Sequence, residues 1–81
     1  MHWDHVVERS QIERSGFDPT LVNSRANLIA VPREVNLLKN GFYSSIQEFS
    51  GGQTVRDWLT GQPFQTQFEF GMDQLRRLLG G

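Results

Sequence analysis

Asp4 and His5 stand side by side in Trp3-Asp4-His5-Val6-Val7-Glu8, a stretch whose β-branched and aromatic residues read as a short strand. Successive strand side chains point to opposite faces, so these two are poorly placed to bind one ion as equals. A division of labour fits them better: a carboxylate facing a metal, an imidazole facing a water or a substrate. Histidine is the side chain whose ordinary titration range suits a general base near neutral pH. Asn36 lies one turn into a helix read over Pro32–Asn40, beside its apolar stripe. If that helix crosses the strand, Asn36 faces Asp4. Two oxygen ligands completed by water are a common protein share of a magnesium site. Arg33 and Lys39 stand three residues to either side of Asn36, so all three can share one helix face. There they would set positive charge beside the metal, as positioning a phosphate requires.

These residues need a scaffold, and the pattern supplies one. Asn27-Leu28-Ile29-Ala30-Val31 reads as a second strand, stopped by Pro32, which suits a helix's first turn. In the helix that follows, Val31, Val35, Leu38 and Phe42 make one buried stripe, and Gly41 is placed as a C-terminal cap. Between the strands, Arg9 to Gly16 is polar with Ile12 as its candidate anchor. Asp18 and Pro19 then open a helix of about two turns, with Phe17 able to staple onto Val22. Ser44 to Gly52 is a linker whose Ile46 and Phe49 tuck back onto the core. Thr54 caps a short helix with Val55, Trp58 and Leu59 inward, and Gly61 ends it. The last helix runs from about Pro63 to Leu79, with Phe64, Phe68, Met72, Leu75 and Leu79 on one face. A two-stranded hairpin is unstable alone and needs a helix against it, for which Pro32–Asn40 is the natural candidate. Trp3 is expected in the core, and Glu8 as a solvated strand-end carboxylate.

Composition bounds what such a chain can be. Its 81 residues, 37% hydrophobic and 21% charged, describe one small domain over 1–81. No apolar run is long enough for a transmembrane helix or a signal-peptide core, so no membrane partner is expected. The absence of cysteine excludes disulfides, thiol catalysis and thiolate zinc sites. A net charge of −1 gives no broad basic footprint, so any contact with phosphates must be local.

Trp3-Asp4-His5-Val6-Val7-Glu8, then Asn27-Leu28-Ile29, then Pro32-Arg33-Glu34-Val35-Asn36, resembles an HNH (ββα-metal) nuclease. Within that superfamily the chain is most similar to WHH-type nuclease domains at the C-termini of bacterial polymorphic toxins. The similarity continues through Gly41-Phe42-Tyr43-Ser44-Ser45 and Gly51-Gly52-Gln53-Thr54-Val55-Arg56-Asp57-Trp58-Leu59. The resemblance implies an α+β fold, with a small ββα-metal core of a two-stranded hairpin and a crossing helix, extended by C-terminal helices. It puts Asp4 in the place of the first metal ligand and His5 in that of the general base. Asn27 takes the place of the middle Asn, which tethers the long loop and helps orient the His. Asn36 takes that of the second metal ligand.

The toxin family typically carries His where this chain has Asp4 and Asn36. In the wider superfamily, Asp-His followed by a helical Asn is an active arrangement, similar to that of a phage junction resolvase. Oxygen ligands in place of imidazoles favour Mg2+ or Mn2+ over Zn2+ or Ni2+. The resemblance thus implies a metal-dependent endonuclease, with DNA ahead of RNA as substrate. It would be delivered within a larger toxin into a target cell's cytoplasm and neutralised by a cognate immunity protein. The methionine just before the motif suggests a unit excised from, or expressed apart from, a larger chain. The alternative is a disabled HNH-fold module that binds nucleic acid or protein. Taken singly, Asp4 reads as a surface carboxylate, His5 as a satisfied core histidine and Asn27 as a turn cap. Jointly, at this spacing, they point to the nuclease.

Overall fold

β1 (His2–His5) and β2 (Leu28–Val31) pair antiparallel in the computed structural model, which describes residues 1–80. Their register sets Trp3 opposite Ala30, Asp4 opposite Ile29 and His5 opposite Leu28. Since pleated side chains alternate, Asp4, Ile29 and Val31 share the inner face, while Trp3, His5, Leu28 and Ala30 share the outer one. One further bond, from the Val6 N–H to the Asn27 carbonyl at 2.8 Å, carries the pairing just past the strands. The fold is mixed helix and strand, with five α-helices around this hairpin.

Burial explains which face turns inward. Val6, Val31, Val35 and Leu75 form a buried cluster, with Ile29, Phe68, Met72 and Leu78 packed against it. Each fully buried Val or Leu contributes about 1.5–3 kcal/mol, which gives the bare hairpin its support. The support comes from α3 (Arg33–Tyr43) and α5 (Phe64–Gly80). Pro32 precedes α3 with a φ of −59°, the value its ring imposes and the helix needs.

α3 differs from its expected stripe. Its buried line is Val35, Lys39 and Tyr43, and Leu38 is 58% exposed. The helix is turned by about one residue because the end of β1 presents polar groups that a lysine satisfies and a leucine cannot. Gly41 is not a cap either: the helix runs on through it so that Phe42 and Tyr43 can join an aromatic cluster, and Ser44 closes it by donating from its N–H to the Asn40 carbonyl at 3.1 Å. That cluster gathers Tyr43, Val55 and Leu59 with Phe42, Trp58 and Phe70. α4 (Val55–Leu59) joins it, capped as expected by Thr54, whose hydroxyl accepts from the Asp57 N–H at 3.1 Å. Phe49 reaches Trp58 edge-on at 5.0 Å between ring centres. Ile46 stays exposed and contributes only a backbone bridge to Thr54.

The connection between the strands is folded. α1 (Gln11–Ser15) was not expected, because its anchor is polar: Gln11 is buried and donates to the Arg56 carbonyl and the Thr60 hydroxyl, both at 3.3 Å. Arg14 pairs with Asp57, holding that carboxyl below its usual range and tying α1 to α4. α2 (Pro19–Val22) begins as read, with Asp18 accepting from the Thr20 N–H at 2.8 Å. Phe17 packs edge-on against Phe64 at 5.4 Å. In α5 the deepest residues are Gln67, Gly71 and Leu75, while Leu79 at the end of the expected stripe is exposed. A Cβ on Gly71 would lie 2.6 Å from the Val6 carbonyl, so only glycine lets α5 approach β1's end so closely. No helix among the described residues is long and apolar enough to cross a membrane.

Candidate active site

Asp4 and Asn36 meet. The Asn36 amide donates to Asp4 Oδ1 at 2.9 Å, joining the strand to the helix that crosses it. The other carboxylate oxygen, Oδ2, accepts from Lys39 Nζ at 2.7 Å. Lys39 does not lie on a solvated face with Arg33: its side chain is only 3% exposed. Its ammonium also donates to the His5 carbonyl at 2.7 Å and the Val6 carbonyl at 3.4 Å, and sits 5.2 Å from the centre of the Tyr43 ring. A buried cation is costly unless oxygens replace its water, and here a carboxylate, two carbonyls and an aromatic face do so. Asn40 reaches the Asn36 side-chain oxygen at 3.5 Å, completing a polar seam along α3.

Tyr43 is the floor of this seam. Its hydroxyl is buried without a hydrogen-bond partner. Burial, followed by the nearby charges of Glu8 and Asp4, pushes its ionisation well above the usual tyrosine range. Glu8 is not solvated, as expected of it, but half-buried in a forked pair with Arg56 at 2.8 and 2.7 Å. Hydrogen bonding to Glu8 in turn raises the Arg56 guanidinium above its usual value.

His5 belongs to the outer face, and its ring is held by a residue the sequence reading overlooked. Asn23, at the end of α2, brings Oδ1 within 3.0 Å of His5 Nε2. With Nε2 donating to that oxygen, Nδ1 keeps the lone pair that accepts a proton. Asn27 is buried, accepts from the Val7 N–H at 2.9 Å and donates to the Val7 and Val22 carbonyls at 3.0 and 2.7 Å. It thus fixes the loop to the end of β1, and Asn23 holds the ring. The only hint of Asn23 in the sequence was its place at a helix end.

Asp4, His5, Asn36 and Asn40 line one small cleft of about 140 Å³, with Glu8 and Lys39 in its wall. Arg9, exposed at the start of the strand-to-strand connection, also lines it. Arg33 is exposed one turn before Asn36 and does not line the cleft. Among the described residues no three His, Asp or Glu side chains cluster, and Asp4 meets the nitrogen of the Asn36 amide, not its oxygen. No protein-family model, curated protein or solved structure matches this chain.

Proposed function

We propose that the chain is a metal-dependent endonuclease of the HNH (ββα-metal) type, hydrolysing phosphodiester bonds, with DNA ahead of RNA as substrate. The observation that carries this reading is the meeting of Asp4 and Asn36 at 2.9 Å, with His5 on the same cleft and its ring fixed by Asn23. The donor set suits a hard, water-rich ion: a carboxylate oxygen and an amide oxygen fit Mg2+ or Mn2+ and offer little to Zn2+ or Ni2+. Asn36 would serve as a ligand only with its amide turned, since its nitrogen now donates to Asp4 Oδ1. Charge neutralisation of the scissile phosphate and of the departing 3′ oxygen is the chemistry such an ion supplies when bound.

The chain's own residues do the rest. His5 Nδ1 takes the proton from the attacking water, and Asn23 keeps Nε2 from competing. Asn27 keeps the loop from carrying His5 away from Asp4. Arg9 contacts the phosphate at the cleft. In keeping with the resemblance, the unit is delivered as part of a larger toxin, acts in the target cell's cytoplasm and is held in check by an immunity protein.

A second reading, a disabled HNH-fold module that binds nucleic acid or protein, is favoured by one observation. Lys39 already neutralises Asp4, so a metal must share a carboxylate with a buried ammonium. Cleavage of supercoiled plasmid and of a long RNA with Mg2+, Mn2+ or EDTA decides between them. The nuclease reading expects metal-dependent cutting that falls by about a hundredfold or more in His5→Ala. A folded parent that cuts nothing with any metal supports the disabled module.

A further inference from the structure

Trp3 was expected in the core and is instead 70% exposed. Every other aromatic ring of the chain has a ring neighbour, at centre distances of 5.0 to 6.3 Å. Trp3 has none, and its cross-strand partner is Ala30, whose methyl group leaves the indole uncovered. The ring lies on the outer face of the hairpin with His5, two residues further along β1. With Leu28 and Arg25 it lines an open cleft of about 410 Å³, within the size range of small-ligand sites.

We propose that this face is a stacking platform for an unpaired nucleobase, with Trp3 carrying the base and Arg25 meeting its phosphate. The inference rests on the nuclease reading and narrows its substrate to single-stranded or locally opened nucleic acid. An exposed indole offers any base a flat apolar partner, and an arginine beside it adds charge complementarity to the backbone. Bases inside a duplex are already stacked on one another and cannot use the platform. His5 lies about 7 Å from Trp3 along the strand, so a base on Trp3 and a phosphate at His5 belong to neighbouring parts of one nucleic-acid strand. The apolar part of the cleft is small, and its cation and the outer face it shares with His5 fit a nucleotide better than a protein surface.

Binding can be read without cleavage. In the His5→Ala background with EDTA, fluorescence anisotropy is measured with short labelled single-stranded DNA, the same sequence as RNA, and the matching DNA duplex. At least one of the single strands should bind about tenfold or more tighter than the duplex. Trp3→Ala should weaken that binding by about tenfold, and Trp3→Phe, which keeps an aromatic face, by no more than about threefold. Equal affinity for strand and duplex, or a Trp3→Ala variant that binds like its parent, overturns the platform and leaves this face to a protein partner. The two readings fail separately. Strand binding that needs Trp3 in a chain that cuts nothing removes the nuclease and keeps the platform. Metal-dependent cutting, with strand binding indifferent to Trp3, does the reverse.

Discussion

Asn27 and Lys39 are both buried polar side chains, and both grip the end of β1 or the residues just after it. Asn27 satisfies itself on neutral backbone groups alone, two from Val7 and one from Val22. Lys39 takes the His5 and Val6 carbonyls but also the Asp4 carboxylate, the candidate metal ligand. The neutral amide can hold the fold without touching the chemistry. The buried ammonium cannot, because whatever charge it brings to Asp4 is felt by anything else that binds there. Structure and function are separable at one tie and coupled at the other.

Breaking the neutral tie should have the largest effect on stability. Asn27→Ala leaves the Val7 N–H and the Val7 and Val22 carbonyls without partners, at about 1–3 kcal/mol for each group. Against a typical total of about 5–15 kcal/mol, the urea midpoint should fall steeply or folding should fail. A variant melting within a few degrees of its parent would contradict the role given to Asn27.

The charged tie should behave differently. Asp4→Ala strands the Lys39 ammonium and should cost about 3 kcal/mol in urea unfolding, whereas adding Lys39→Met to it should recover most of that loss. Equal stability of single and double variants would mean that the two carbonyls suffice for Lys39. Gly71→Ala tests the backbone both ties support, since its Cβ would press on the Val6 carbonyl at 2.6 Å. A loss of about 1–3 kcal/mol is expected, read as a lower melting temperature.

The smallest effect is predicted for Tyr43→Phe. It removes a buried hydroxyl without a partner and keeps the ring near Lys39, so stability at neutral pH should change by less than about 1 kcal/mol. Alkaline pH separates the two proteins. Because folding raises the Tyr43 ionisation above its ordinary value of 10.0, its contribution is intact below that pH and is lost as pH rises beyond it. The parent should therefore lose stability above about pH 10 more steeply than the phenylalanine variant; parallel curves would contradict the burial argument.

What could be read from the sequence follows from which residues announce their surroundings. The hairpin, α3 and α5 were legible because alternation and helical period mark them, and Asp18-Pro19 and Thr54 because caps carry their own signal. Lys39 was misread because a lysine on a helix is ordinarily solvated, and only the crossing of α3 over β1 gives it oxygens to replace water. That error also displaced Leu38 into the expected core. α1 escaped notice because its anchor is Gln11, a polar residue without an apolar period. Gly71 and Gly41 were opaque for a related reason: whether a glycine caps a helix or lets another element approach depends on what lies opposite. In the candidate site, Asp4, His5 and Asn36 are singled out by type and spacing and Asn27 by the family resemblance, whereas Asn23 and Arg9 depend on how the connection folds back.

On the proposed reading, Asp4 would hold a divalent ion with Asn36 while remaining paired to Lys39. Titrating Mn2+ into the folded chain, with free Mn2+ followed by electron paramagnetic resonance, tests it directly. Uptake of one Mn2+ per chain is expected, lost in Asp4→Ala and weakened in Asn36→Ala. A folded parent that takes up no Mn2+, or takes it up equally well without Asp4, would contradict it.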